Sequence, residues 1–212
     1  MDTTRKRLKH CRKPRGKLGK EVLEEMNEHH AELTKWGISF LSIKSDFRIL
    51  DIGCGGGFTI SLLASKIEEG KIFGIDYSSL SVKYSKQYCE ALIEADKVEI
   101  KKASVSDLTF PDNYFDIVTG IETFYFWPDK INDLKEIRRV LKKDGTIALI
   151  NEMYISGASD EIKKRNKEWT EKGEFEIYTA KEMMNFLQNA TYRKIEIIEE
   201  KEKEWITILG KK

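Results

Sequence analysis

The chain has 212 residues, 40% hydrophobic and 34% charged, with a formal net charge of +1, which suits one domain with a sizeable core. No apolar run approaches the ~18 residues of a membrane span, and the basic N-terminus lacks the apolar stretch of a secretory signal. Cys11, Cys54 and Cys89 are scattered and form no CxxC pair, which argues against a disulfide framework or a zinc site and fits a reducing cytoplasm.

In chain order, residues 1–20, "MDTTRKRLKHCRKPRGKLGK", come first, with nine Lys/Arg against one acid. The rest of the chain, 21–212, is net acidic and reads as one domain. Such a basic arm binds nucleic acid, stays solvated, or covers an acidic patch of its own domain. It holds no aromatic residue, so base stacking has no support. Residues 21–42 read as a helix covering the domain. In "EEMNEHHAELTKWG", helical spacing puts Val22, Met26, His29 or His30, Leu33 and Trp36 on one stripe. From Arg48 on, strand and helix patterns alternate. "FRILDI", "KIFGID", "KVEIKKA", "FDIVTGI" and "TIALINE" are strands. "TISLLASKI", "SLSVKYSKQYCEALIEA" and "KINDLKEIRRVLKKDG" are the helices between them, apart from a polar turn at "PDN". "TAKEMMNFLQNA" opens on Thr179 with Glu182 three residues on, a capping box. "YRKIEIIEE" and "EWITILGKK" close the chain as an antiparallel pair, because their connection is too short for a parallel crossover. The pattern predicts an α/β fold, a doubly wound seven-stranded sheet, mostly parallel with an antiparallel last strand. Residues 153–178, with eleven charged residues and two glycines, leave the C-terminal end of the fifth strand and are a candidate lid.

The stretch "ILDIGCGGG" sets Asp51 before Gly53, Cys54, Gly55, Gly56 and Gly57. Glycine costs conformational entropy, so this cluster marks a backbone that turns sharply or lets a ligand approach. The spacing departs from the dinucleotide pattern G-x-G-x-x-G, whose third glycine position is Phe58 here, and no phosphate-binding P-loop is present. Asp51 repels a phosphate and attracts a cation. Asp76 ends the second strand in "GIDYSS", where an acid accepts hydrogen bonds from ribose hydroxyls or caps the next helix, a task Ser78 or Ser79 also suits. A ligand with a ribose, no phosphate and a positive charge satisfies both acids, and S-adenosylmethionine has that chemistry.

"ILDIGCGGGFT" resembles the first motif of class I S-adenosylmethionine-dependent methyltransferases, and "GIDYSS" resembles their ribose-binding motif. "ASVSDLTFPDNYFDIVTGIETFYFWPD" and "LKEIRRVLKKDGTIALINE" are similar to the stretches around their third to fifth strands. The resemblance covers residues 48–152. It implies that Gly53, Cys54, Gly55 and Gly57 lie under the methionine part of the cofactor, with Asp51 at its ammonium. It implies Asp76 on the ribose, Tyr77, Ser104 and Val105 about the adenine, and Ile121 and Glu122 beside the methyl group. S-adenosylhomocysteine is then the product. Many relatives carry His-His where this chain has Tyr125-Phe126.

In-line methyl transfer needs alignment and dryness, and a base only when the nucleophile arrives protonated. Some small-molecule methyltransferases carry a stretch similar to Met26, Asn27, His30, Leu33, Trp36 and Gly37. His30 is the first candidate base, or else a residue packed at the helix boundary; Glu122 and Tyr125 are the others. Met26, Trp127, Glu152 and Tyr154 are candidate substrate-lining residues, and Trp169 and Tyr178 candidate lid residues. The reading expects a small-molecule substrate, no membrane association and a monomer or homodimer. Its alternatives are RNA or protein methylation through the basic arm, and cofactor binding without catalysis.

Overall fold

In the computed structural model, which describes residues 3–156 and 160–212, the run Arg48–Ile52 forms β1. The first two residues of the basic segment and residues 157–159 of the candidate lid lie outside the described residues. Around β1 the chain winds in two directions. β2 (Lys71–Asp76) and β3 (Val98–Lys102) stack to one side, and β4 (Phe115–Ile121) and β5 (Leu141–Asn151) to the other, all parallel. β6 (Arg193–Glu200) and β7 (Trp205–Lys211) follow as a hairpin, with β7 antiparallel to β5. The order is β3-β2-β1-β4-β5-β7-β6, the mostly parallel sheet that the sequence predicts. Its switch point, where open α/β sheets take ligands, falls between β1 and β4.

Strand residues alternate between two apolar layers, as a pleated strand requires. Ile49, Ile72, Ile117 and Ile150 face α3 (Ala31–Ile38) and α4 (Phe58–Ala64). Leu50, Phe73, Val118 and Leu149 face α7 (Lys130–Val140) and α9 (Ala180–Asn189). The predicted capping box at Thr179 and Glu182 opens α9.

Four expectations are corrected. The basic arm is a helix, α1 (Thr3–Arg12), and α2 starts at Gly16. The covering helix breaks at His30 into α2 (Gly16–His29) and α3. The long helix after β2 breaks at Cys89 into α5 (Ser79–Tyr88) and α6 (Glu90–Glu94). There the Cys89 thiol turns inward toward the Gly57 carbonyl at 3.5 Å, and Tyr88 is exposed. Finally, α7 stops at Val140, because Leu141 already pairs with Phe115 ahead of a bulge in β5. Among the described residues, no helix is long and apolar enough to cross a membrane.

The candidate lid contains α8 (Asp160–Gly173). It packs against α1, and α1 against α2, so the N-terminal segment and the lid form one roof over the switch point.

Candidate active site

The floor of the site is the turn after β1. Gly53, Gly55 and Gly57 have φ of +72°, +48° and +88°, the left-handed region that favours glycine. A side chain at Gly53 would also meet Thr123 Cγ2 at 2.4 Å. The turn is held from three sides. Gly53 and Cys54 donate their N–H groups to the Ile75 carbonyl at 2.8 and 3.0 Å. Gly55 N–H donates to Asp76 Oδ2 at 3.1 Å. Asn27 Nδ2, on α2, donates to the Gly56 carbonyl at 3.0 Å.

Asp51 and Asp76 are both buried. Burial pushes the Asp51 carboxyl up to about 7, and the nearby Asp76 charge adds to this, while a 2.7 Å hydrogen bond from Thr119 Oγ1 opposes it. Asp76 is also raised by burial, against the backbone N–H groups of Ser78 and Gly55. Asp76 holds the turn, and Ser78 caps α5, as the sequence allowed.

A cavity of about 1180 Å³, its open mouth included, lies over this floor. Asp51, Gly53, Cys54, Gly55, Asp76, Tyr77, Ser104, Val105, Ile121 and Trp127 all line it. Gly57 does not. It precedes α4 as its N-cap, and a side chain there would meet Ser85 Cα at 3.1 Å, so its bareness serves helix packing. Gly56 takes its place in the lining. The roof comes from Cys11, Arg12 and Pro14. The Tyr77 hydroxyl donates to the Arg12 carbonyl, and Ser78 Oγ to the Pro14 carbonyl at 3.2 Å.

A second chamber, about 1120 Å³ on the same measure, adjoins the first. Cys11, Met26, His30, Glu122 and Phe126 line both. Tyr125, Glu152, Trp169 and Phe175 complete much of its wall, with His29 and Met153. Phe175 packs against Tyr125 and Phe126, each at 5.1 Å between ring centroids. Tyr154, a candidate lining residue, and Tyr178, a candidate lid residue, are elsewhere. Tyr154 is buried in the apolar layer against α7 and α9, with its hydroxyl on Glu199 at 3.0 Å. Tyr178 packs on Phe124 and Phe186. Both pack into the layer of α7 and α9.

The junction between the chambers is the most charged part of the interior. Glu122 is buried with φ +53°, a conformation that costs a non-glycine residue about 1–3 kcal/mol and tends to mark functional sites. Its carboxylate accepts from the Tyr125 hydroxyl at 2.7 Å and the Glu152 N–H at 2.5 Å. Glu152 Oε1 lies 3.0 Å from His29 Nε2 and 3.6 Å from His30 Nε2. Burial raises the Glu122 carboxyl, only partly offset by His30. Burial also acts to raise Glu152, but His30 and His29 outweigh it and hold that carboxyl below the ordinary range. For His30, burial lowers the imidazole, and Glu152 and Glu122 more than reverse this. One wall thus carries two carboxyls pushed apart and a histidine between the chambers, as acid–base sites do.

This fold and floor define a class: an open α/β domain with a bare glycine turn and two buried acids at its switch point. Residues 50–149 match the family model described as "Methyltransferase domain". Demethylmenaquinone methyltransferase of Bacillus mycoides is 33% identical over 124 residues, 57% of this chain and 51% of the relative. The chain therefore spans about half the length of the curated relatives it matches. Among solved structures, an S-adenosylmethionine-dependent methyltransferase of Aquifex aeolicus superposes with a TM-score of 0.75 at 22% identity, over 91% of this chain and 97% of the other. A chain from a Haloferax volcanii complex with the Trm112 methyltransferase activator gives 0.77 at 19%, over 91% and 93%. Residues 50–149 are thus similar to a methyltransferase domain, and the fold that carries them is the one found in solved S-adenosylmethionine-dependent methyltransferases.

Proposed function

We propose that the protein transfers a methyl group from S-adenosylmethionine to a small molecule held in the second chamber. The second chamber carries this reading: α1 and α8 roof a largely apolar and aromatic space, open to solvent beside His29, that adjoins the cofactor cavity at the junction. Such a space suits a ligand of metabolite size. The basic residues of α1 support it too, since Arg7 pairs with Glu25 and Lys9 with Glu174, spending charge within the domain. The Bacillus relatives, named for demethylmenaquinone, point the same way.

The residues present fit the cofactor. The bare turn at Gly53 and Gly55 lets a ligand lie on the backbone, and a cation relieves the cost of burying Asp51. Asp51 faces the ammonium, Asp76 the ribose, and Tyr77, Ser104 and Val105 the adenine. Ile121 and Glu122 border the junction. When bound, S-adenosylmethionine supplies a methyl group activated on a sulfonium. The protein aligns the acceptor with that carbon and excludes water. The acceptor's proton leaves at the junction wall, which His30 lines.

Incubation with isotope-labelled S-adenosylmethionine and fractionated cell extract tests this. Label is expected in an extractable small molecule. Label appearing in RNA or protein overturns the reading, as does binding of NAD in preference to S-adenosylhomocysteine.

Asp51 adds a pH signature. Without ligand its carboxyl holds a proton below about pH 7. A neighbouring ammonium favours the ionised form, so binding at lower pH must expel that proton. S-adenosylhomocysteine affinity is expected to rise with pH by up to about tenfold per unit, levelling off above about pH 7. Calorimetry should show the matching proton release. Asp51→Asn should flatten the profile; an unchanged slope in that variant removes Asp51 from the cofactor site.

A further inference from the structure

His29 and His30 are neighbours in sequence, and in an unbroken helix adjacent side chains diverge by about 100°. Here the helix breaks at His30, whose φ and ψ are −87° and 2°. The two rings stand 5.0 Å apart at 70° and turn their Nε2 atoms toward one oxygen, Glu152 Oε1, at 3.0 and 3.6 Å. The three donor atoms lie within 4.8 Å of one another. Glu152 sits just past β5 and is anchored by its N–H on the Glu122 carboxylate, so the third donor is placed by the sheet.

Two imidazoles and one carboxylate form a donor set for a borderline divalent ion and a poor one for magnesium or calcium. Metal–ligand bonds of about 2.1 Å put adjacent donors about 3–3.5 Å apart, close to the two separations found here. All three residues line the second chamber. Three protein ligands leave coordination positions open, and those positions face the space assigned above to the acceptor.

We propose that His29, His30 and Glu152 bind one divalent ion of the zinc class, and that its open position takes the oxygen or sulfur of the methyl acceptor. The ion-binding claim stands on this geometry alone; the acceptor claim rests on the methyltransferase reading. Ligation lowers the pKa of an O–H or S–H group. The proton leaves to solvent, and the resulting anion is the nucleophile. The acceptors are then alcohols, enols, phenols or thiols. The sequence hides this site, because adjacent histidines do not share a helix face and Glu152 is far along the chain.

Tag-free, chelator-stripped full-length protein should be titrated with zinc chloride by calorimetry, and with cobalt chloride by visible absorption. One ion per chain is expected, with cobalt absorption bands of low coordination number. His29→Ala, His30→Ala and Glu152→Gln should each weaken uptake by at least about 10–100-fold, and His10→Ala should not. His29 is exposed and outside the cofactor cavity, so His29→Ala should keep its S-adenosylhomocysteine affinity, which reads the fold and the cofactor site separately. Absence of saturable zinc uptake overturns the proposal, and so does unchanged uptake in His29→Ala. Uptake that survives all three variants but falls in Cys11→Ser also overturns it, assigning the ion to a thiolate instead.

Discussion

Replacing His30 by alanine is expected to lower methyl transfer by about 10²–10⁴-fold, the usual range for losing a group that assists proton removal from the acceptor, with S-adenosylhomocysteine affinity nearly intact. His30 lines both cavities, whereas the groups placed on the cofactor, Asp51, Asp76 and the glycine turn, lie in the first alone. It is poised by Glu152 at the helix break and stays partly exposed, so the fold should survive its loss. His29 is not a neutral comparison, since it shares the same Glu152 oxygen; His10, whose Nδ1 accepts from the Arg15 N–H, is better. Single-turnover rates and cofactor affinity should be measured on the same preparation. Full turnover in the variant would remove His30 from the chemistry. Equal losses of cofactor binding and melting temperature would make it a structural residue.

The sheet and the floor of the site are legible in the sequence because local physics determines them. "RILDI" and "FDIVTGI" are apolar runs suited to strands covered on both faces, and the strand–helix alternation makes the sheet parallel. The Asp51–Gly55 turn declares itself by glycine cost and an acid. What stayed hidden depends on long-range contacts. The nine basic residues of the first twenty mask Leu8, Cys11 and Pro14, which line or roof the two cavities. Gly56 and Gly57 are equivalent as letters; only the packing of Asn27 on one and Ser85 on the other separates them. The breaks at His30 and Cys89 carry no glycine or proline, and each is a place where a side chain turns to meet a distant segment. Tyr154 and Glu152 are two residues apart after β5. Their opposite fates follow from how the chain leaves the strand, which composition does not encode.

Deleting residues 1–13 is expected to lower turnover by about 10²-fold, the scale for a reacting pair that loses its positioning, and to lower it more than it lowers stability. Among its described side chains, α1 contributes none to either apolar layer of the sheet, so its removal leaves the core intact. Pro14 remains, packed against α2 at Gly19, where a side chain would meet its carbonyl carbon at 2.8 Å. The truncation takes away Cys11 from both chambers, Arg12 from the cofactor cavity and Arg7 and Leu8 from the acceptor chamber. Water then enters beside Glu122 and His30, and solvent screening weakens their mutual interactions. The Tyr77 hydroxyl loses the Arg12 carbonyl, so cofactor affinity should fall as well, by about 1 kcal/mol for one hydrogen bond. Turnover and S-adenosylhomocysteine affinity measured on both forms give the two losses, and a filter-binding assay over a salt series decides the role of the charge. If the helix is a roof, neither form binds RNA in a salt-dependent way. Tight, salt-sensitive RNA binding by the full chain alone would instead show that the six cations of residues 1–13 face a polyanion, and methylation of a nucleic acid would become the leading reading.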